Sequence, residues 1–249
     1  MIPSDEESNQ KVLLKKLNEK QKEFKKNIVI LTDGDQTLCE IDSSSILNKY
    51  AQIDGETIKK GFIKHNYAYP GFKKMAEIYS QLKLKDYLEY TQLTALQVDL
   101  YPGVSDFIQN AKDFADIYLL TSGHKMIWEK IFQRYNLDIT IFSGIHADID
   151  EYIIGRNEKE YICQYFKSLG KIVIALGDSG ADTLMLKNAD HAVVVVNDER
   201  NSDLIPYLTN HPSLFQISFK NYLHKDIPVI TFQTLIAKLK ELNNSKTRK

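Results

Sequence analysis

The chain has 249 residues, 43% of them hydrophobic and 26% charged, with 32 Lys+Arg against 33 Asp+Glu. This is globular composition, which excludes disordered, collagen-like and coiled-coil arrays. A formal net charge of -1 provides no global field to draw nucleic acid or anionic lipid, so a charge-driven function has to be local. Two cysteines, Cys39 and Cys163, are too few for a disulfide framework and lack metal-site spacing, as expected of a reducing compartment.

Residues 1–27 form the first unit. Seven lysines fall between positions 11 and 26, with Leu13, Leu17 and Phe24 at helical spacing, which predicts a basic helical arm whose charged face is solvated. Ile28–Leu31 is the first of four short, β-branched-rich runs without polar alternation; the others are Ile117–Leu120, Ile172–Leu176 and Ala192–Val196. Such runs are strands buried on both faces, as in a parallel sheet covered by helices.

From Asp42 to about Leu100 the alternation lapses. Helices are predicted near Ser45–Gln52, Glu56–Lys64, Gly71–Leu82 and Lys85–Leu96, punctuated by Gly55 and Pro70, so residues 42–100 are expected to be a helical insertion. Tyr101-Pro-Gly-Val104 returns the chain to the core. Trp128, Ile131, Phe132 and Tyr135, and then Ile162, Tyr165, Phe166 and Leu169, follow i, i+3, i+4, i+7 spacing and mark helices between the later strands. Beyond Asn197 a helix near Asp203–Leu208, strands at Leu214–Ile217 and Pro228–Thr231, and an amphipathic helix through Leu242 are expected.

Strands alternating with helices predict an α/β protein: a Rossmann-like, doubly wound, mostly parallel sheet built from 28–41 and 101–249, with the helical segment inserted. No run approaches the ~20 apolar residues of a membrane span, and no basic-then-apolar leader opens the chain, so a cytoplasmic protein without a membrane partner is expected.

Three strands end in chemistry. Thr32-Asp33-Gly34-Asp35-Gln36-Thr37 follows the first, Thr121-Ser122-Gly123 the second, and Gly177-Asp178-Ser179-Gly180-Ala181-Asp182 the third. The carboxyl ends of strands in an open α/β sheet converge on the ligand crevice, so these residues should meet. Four carboxylates there would repel one another without a cation, and oxygen ligands without His or Cys point to Mg²⁺.

The arrangement resembles the haloacid dehalogenase superfamily of phosphohydrolases. Asp33-Gly-Asp35-Gln-Thr37 looks like that family's DxDxT motif, Thr121 like its second motif, Lys159 like its third, and Asp178 through Asp182 like its acidic fourth. The resemblance implies Asp33 as nucleophile, Asp35 as general acid and base, and Thr121, Ser122 and Lys159 as ligands of the phosphoryl group. It further implies Mg²⁺ held by Asp33, Asp178 and the Asp35 carbonyl, with Asp182 in a supporting position that binds through water or orients Lys159. Lys167 and Lys171 compete with Lys159, which is preferred because it opens a helix after Gly155, with Asn157 as its expected cap.

The insertion resembles a C1 helical cap of the phosphoserine-phosphatase-like subgroup. Asp42 is then a candidate for substrate specificity, although the cap contains no arginine to take a substrate carboxylate, so phosphoserine is disfavoured. The expected activity is Mg²⁺-dependent hydrolysis of a small phosphorylated metabolite through an aspartyl-phosphate. A phosphotransferase or phosphomutase on the same fold, or a non-catalytic metabolite-binding module, are the alternatives.

Overall fold

The structure is a computed structural model that describes residues 2–198, 204–220 and 222–246. The first element is α1 (Glu6–Lys20), which opens on Asp5, whose carboxylate accepts from Ser8 N at 2.8 Å. Next comes β1 (Ile28–Thr32), every residue of it buried. Four helices then follow without a strand: α2 (Ser43–Ala51), α3 (Gly55–Lys64), α4 (Tyr69–Tyr79) and α5 (Leu84–Ala95). The remainder alternates through α6 (Val104–Ala111), β2 (Ala115–Leu120), α7 (Lys125–Arg134), β3 (Thr140–Phe142), α8 (Arg156–Ser168), β4 (Ile172–Gly177), α9 (Thr183–Asn188), β5 (His191–Val195), β6 (Leu214–Ile217) and α10 (Phe232–Lys246).

The six strands form one sheet in the order β3-β2-β1-β4-β5-β6, and every pairing is parallel. Successive strand side chains point to opposite faces. Ile28, Ile30, Ile117, Leu119, Ile174 and Leu176 accordingly enter one core, shared with helices α2 to α7 and α10, while Val29, Leu31, Tyr118, Leu120, Val173 and Ala175 enter a second one beneath α1, α8 and α9. Both faces are dry, which is why these strands show no polar alternation.

Chain progression reverses at β1: β2 and β3 lie to one side, β4 to β6 to the other. That is the switch point at which an open sheet forms its ligand crevice. Register places Thr32 opposite both Leu119 and Leu176, so Asp33, Thr121 and Asp178 emerge within one residue of a common level.

The helical segment leaves and re-enters beside itself. Cys39 and Leu100 form an antiparallel bridge, and Tyr101 N donates to Leu38 O at 2.9 Å. Within it α2 packs on α5 and α3 on α4, and α5 also packs on α7 of the core. The α1 helix buries Leu13 and Leu17 completely and lies on the second core.

Two expectations need correction. Pro228–Thr231 is no strand but a single bridge, Gln216 with Val229, because Gln216 N donates to Pro228 O and Ile230 N returns to Gln216 O with nothing paired beyond. The helix expected near Asp203–Leu208 is a 3-10 turn at Ile205–Tyr207; residue 203 lies outside the described residues. Among the described residues, no helix is long and apolar enough to cross a membrane.

Candidate active site

The loop after β1 is held to β4, since Asp33 N donates to Leu176 O at 2.9 Å. It then turns sharply. Thr37 N and Leu38 N both donate to Gly34 O, at 3.1 and 2.7 Å, and Gln36 adopts φ 60°. Gly34 has no room for a side chain: a Cβ there would lie 2.4 Å from Trp128 Cε2, well inside contact distance. The glycine lets this turn press against the α7 tryptophan while the two flanking aspartates face the crevice.

Lys159, on the first turn of α8 and 1% exposed, joins the first and fourth motifs. Its Nζ donates to Asp33 Oδ1 at 2.6 Å and to Asp182 Oδ1 at 2.7 Å. Asp182 is fixed from its other oxygen, which accepts from Asp178 N (3.2 Å), Ser179 N (3.1 Å) and Ser179 Oγ (3.1 Å). Gly177 allows this close approach, because a Cβ there would fall 2.5 Å from Asp182 Cβ. Asp178 accepts from Thr37 Oγ1 at 2.8 Å, a link across the β1–β4 junction.

Burial governs the electrostatics. It raises Asp33 to about 6 against the opposing pull of Lys159, with the Asp182 charge adding to the rise. Asp178 is pushed well above the carboxylate range by burial and by the charges of Asp182 and Asp33. Burial opposes the Lys159 charge, but the two carboxylates outweigh it and hold the ammonium above its ordinary value. Asp35 rises well above its usual range through burial and the neighbouring Asp42 charge. Its Oδ2 accepts from Ser43 N (3.1 Å) and Ser43 Oγ (2.8 Å), while its Oδ1 is buried without a hydrogen-bond partner.

Thr121 follows β2 and is buried, its Oγ1 accepting from Gly123 N at 3.0 Å. Ser122 lies next to it with a buried, unpartnered Oγ. Asp33, Asp35, Thr121, Ser122, Lys159 and Asp178 therefore line one cavity of about 140 Å³, and Asp182 sits directly behind it. Asp42 also lines it; its carboxylate caps α2 by accepting from Ser44 N at 3.0 Å. The opposite wall is Phe62, Tyr67, Phe72 and Met75 from the helical segment, with the Phe62 and Phe72 rings 4.5 Å apart.

Lys167 and Lys171 lie elsewhere: Lys167 binds Asn188 O and Asp190, and Lys171 binds the carbonyls of Phe24 and Lys26. Asn157 is not the cap of α8. Gly155 occupies that position and Asn157 donates to Glu6 Oε1 at 2.7 Å. Thr37 and Ser43 are partners of Asp178 and Asp35 that the sequence alone does not reveal. Thr37 stands inside the first motif and could have been suspected, whereas Ser43 is one of three consecutive serines with nothing to distinguish it.

The donor set fits a divalent cation. Asp33, Asp178 and Asp182 offer carboxylate oxygens within 4.8 Å of one another, all hard ligands. Asp33 and Asp178 line the cavity itself, whereas Asp182 lies behind it with one oxygen on Lys159 and the other on the 178–179 backbone.

A family model for haloacid dehalogenase-like hydrolases matches residues 55–190, more than half of the chain; the segment contains Thr121, Lys159, Asp178 and Asp182, while Asp33 and Asp35 precede it. No curated protein matches significantly in sequence. Among solved structures, a substrate-bound phosphoserine phosphatase complex is similar at TM-score 0.56 and 17% identity over 76% of this chain and 93% of that one. Cytosolic 5'-nucleotidase IIIB bound to cytidine is similar at 0.56 and 13% over 93% of each chain. A HAD family hydrolase from Salmonella enterica serovar Typhi is similar at 0.59 and 15% over 88% of this chain and 80% of that one. At these identities the likeness is one of fold.

Proposed function

Because the chain belongs to the haloacid dehalogenase-like hydrolases, we propose that it is a Mg²⁺-dependent phosphomonoesterase for a small phosphorylated metabolite, working through an aspartyl-phosphate. The observation that carries this reading is the pair of unlike acids on one turn. Asp33 is held by an ammonium and Asp35 retains a buried, unpartnered oxygen and a raised pKa.

Asp33 acts as nucleophile: a carboxylate oxygen attacks phosphorus as the bond from phosphorus to the leaving alkoxide breaks. Asp35, whose burial favours the protonated form, gives its proton to that alkoxide. It then takes a proton from the water that attacks the aspartyl-phosphate, and the bond to Asp33 breaks to release phosphate. Thr121 Oγ, Ser122 and the Lys159 ammonium hold the equatorial oxygens, where charge gathers in the transition state. Asp182 keeps Lys159 in place. Asp33, Asp178 and the Asp35 carbonyl would hold Mg²⁺, which when bound offsets the charge of the incoming phosphate.

We assign 42–100 as a lid that closes the site and contributes its aromatic wall and Asp42 to selectivity. Lys159 is the sole cation among the described residues lining the cavity, and it already serves two carboxylates. An anionic group on the leaving alcohol would find no second cation there, which argues against phosphoserine and favours alcohols that are neutral or cationic. The test is Mg²⁺-dependent release of phosphate from 4-nitrophenyl phosphate, followed by a panel of metabolite monoesters. No release by the intact protein, or release undiminished in Asp33→Asn, overturns the assignment.

A further inference from the structure

The N-terminal helix is joined to the site by bonds that its lysine-rich sequence does not suggest. Asn9 is completely buried in α1 and makes three hydrogen bonds to one turn: Oδ1 accepts from Ile153 N (2.8 Å), and Nδ2 donates to Ile153 O (3.0 Å) and to Glu158 Oε1 (3.2 Å). Glu158 Oε2 in turn accepts from Gly155 N at 3.0 Å. Gly155 has no side chain with which to cap α8, so Glu158, held by Asn9, reaches back to close the helix start. The next residue is Lys159.

The same turn touches the lid. Arg156 N donates to Tyr67 O at 2.9 Å, and Phe72 packs so closely on Gly155 that a Cβ there would lie 2.9 Å from its ring. Residues just ahead of α1 reach the lid too: Tyr69 OH donates to Pro3 O (2.6 Å) and Lys73 Nζ to Ser4 O (2.7 Å). Three separate segments thus meet within one turn of the residue that grips Asp33.

We propose that residues 3–9 are a strap that binds the lid helix α4 to the 153–158 turn, so that lid closure and the placement of Lys159 are set together, with Asn9 as a positioning residue. The inference rests on Lys159 as a ligand of the transferring phosphoryl group. A displacement of about 1 Å in such a group is enough to cost a large part of the rate.

The test uses the full chain with 4-nitrophenyl phosphate and Mg²⁺. Asn9→Ala should lower kcat by roughly tenfold or more in protein that circular dichroism shows to be folded. Asn18→Ala breaks another α1–α8 bond, to Tyr165 OH at 2.8 Å, far along the helix from Lys159, and should leave kcat within about twofold. Tyr69→Phe combined with Lys73→Ala frees the lid from the strap and should raise KM several-fold with a smaller change in kcat. Equal effects of Asn9→Ala and Asn18→Ala, or a folded Asn9→Ala with unchanged kcat, overturn the proposal.

Should Asn9→Ala fail to fold, amide hydrogen exchange on the Tyr69→Phe, Lys73→Ala protein decides. Exchange at residues 153–159 should accelerate although the substitutions lie on α4, and unchanged exchange there refutes the strap. An inactive parent would overturn the reading of Lys159, while the exchange measurement would still judge the strap.

Discussion

Lys159 and Asp33 form an ion pair of 2.6 Å between a lysine that is 1% exposed and a carboxylate that opens onto the crevice, although 126 positions separate them in the chain. A buried pair is a poor source of net stability, but removing one partner strands the other. Lys159→Met should therefore act twice. It should abolish most of kcat, on the order of 10²-fold or more, as loss of a charged transition-state donor does. It should also destabilise the metal-free protein by about 3 kcal/mol. Added Mg²⁺ should restore part of the melting temperature but little of the rate; recovery of both would deny Lys159 a role in the chemistry.

The two acids of the first motif should separate by leaving group. Asp33→Asn removes the proposed nucleophile and should abolish turnover of every ester. In the first turnover, which reads transfer to Asp33 alone, Asp35→Asn should cost on the order of 10²- to 10⁴-fold on an alkyl phosphate, whose leaving oxygen needs a proton, and distinctly less on 4-nitrophenyl phosphate, whose phenolate leaves unaided. Equal losses on both esters in that first turnover would remove Asp35 from the role of general acid.

Raised carboxylates also set a pH dependence whose sign is opposite to that of ordinary surface ion pairs. Asp33 lies at about 6 in the folded chain, and Asp35 and Asp178 lie well above their ordinary values through burial. Between the unfolded and folded pKa values the native state binds more protons than the unfolded one, so stability falls as pH rises. The metal-free protein should melt progressively lower from about pH 4 upward through at least pH 6. A dication replaces those protons, so Mg²⁺ should raise the melting temperature more at pH 8 than at pH 5 and should release protons on binding. Calorimetric titration in buffers of different ionisation heat measures that release, and a Mg²⁺ effect independent of pH would count against the acidic cluster as its site.

Much of this was legible in the sequence, for physical reasons particular to each element. Strands β1, β2, β4 and β5 are buried on both faces and so appear as unbroken apolar runs, and the sheet's parallel order brings Asp33, Thr121 and Asp178 to one edge. Strand β3 leaves no such signal, because it has only three residues and opens on a threonine. Helices α2 and α3 begin earlier than their apolar spacing indicates, since Asp42 and Asp54 cap them from outside. The contact of Asn9 with Glu158 spans 149 positions between two polar residues of unremarkable context, and only the packed helices reveal it. The lysines of α1 are conspicuous by their charge, yet Lys16 pairs with Glu151 at 3.0 Å, Lys11, Lys15 and Lys20 pair with glutamates near them in sequence, and none of the four lines the crevice.

The sharpest test of local geometry is Gly34. Its neighbours are the two catalytic candidates, and any Cβ there meets Trp128 Cε2 at 2.4 Å, with Cζ2 at 2.5 Å and Nε1 at 2.7 Å. The ring is fully buried on α7, and a close-packed interior yields little. Gly34→Ala should thus destabilise the fold by about 1–3 kcal/mol, as overpacking of a dense core does. The loss of activity should exceed the loss of stability, because relief comes from moving the turn that aims Asp33 and Asp35. Trp128→Phe makes the missing space from the other side. The double variant Gly34→Ala, Trp128→Phe should recover kcat relative to Gly34→Ala alone, even though Trp128→Phe by itself opens a cavity and lowers stability. Additive losses in the double variant, measured by melting temperature and by kcat, would show that contact with the indole is not what excludes a side chain at this position.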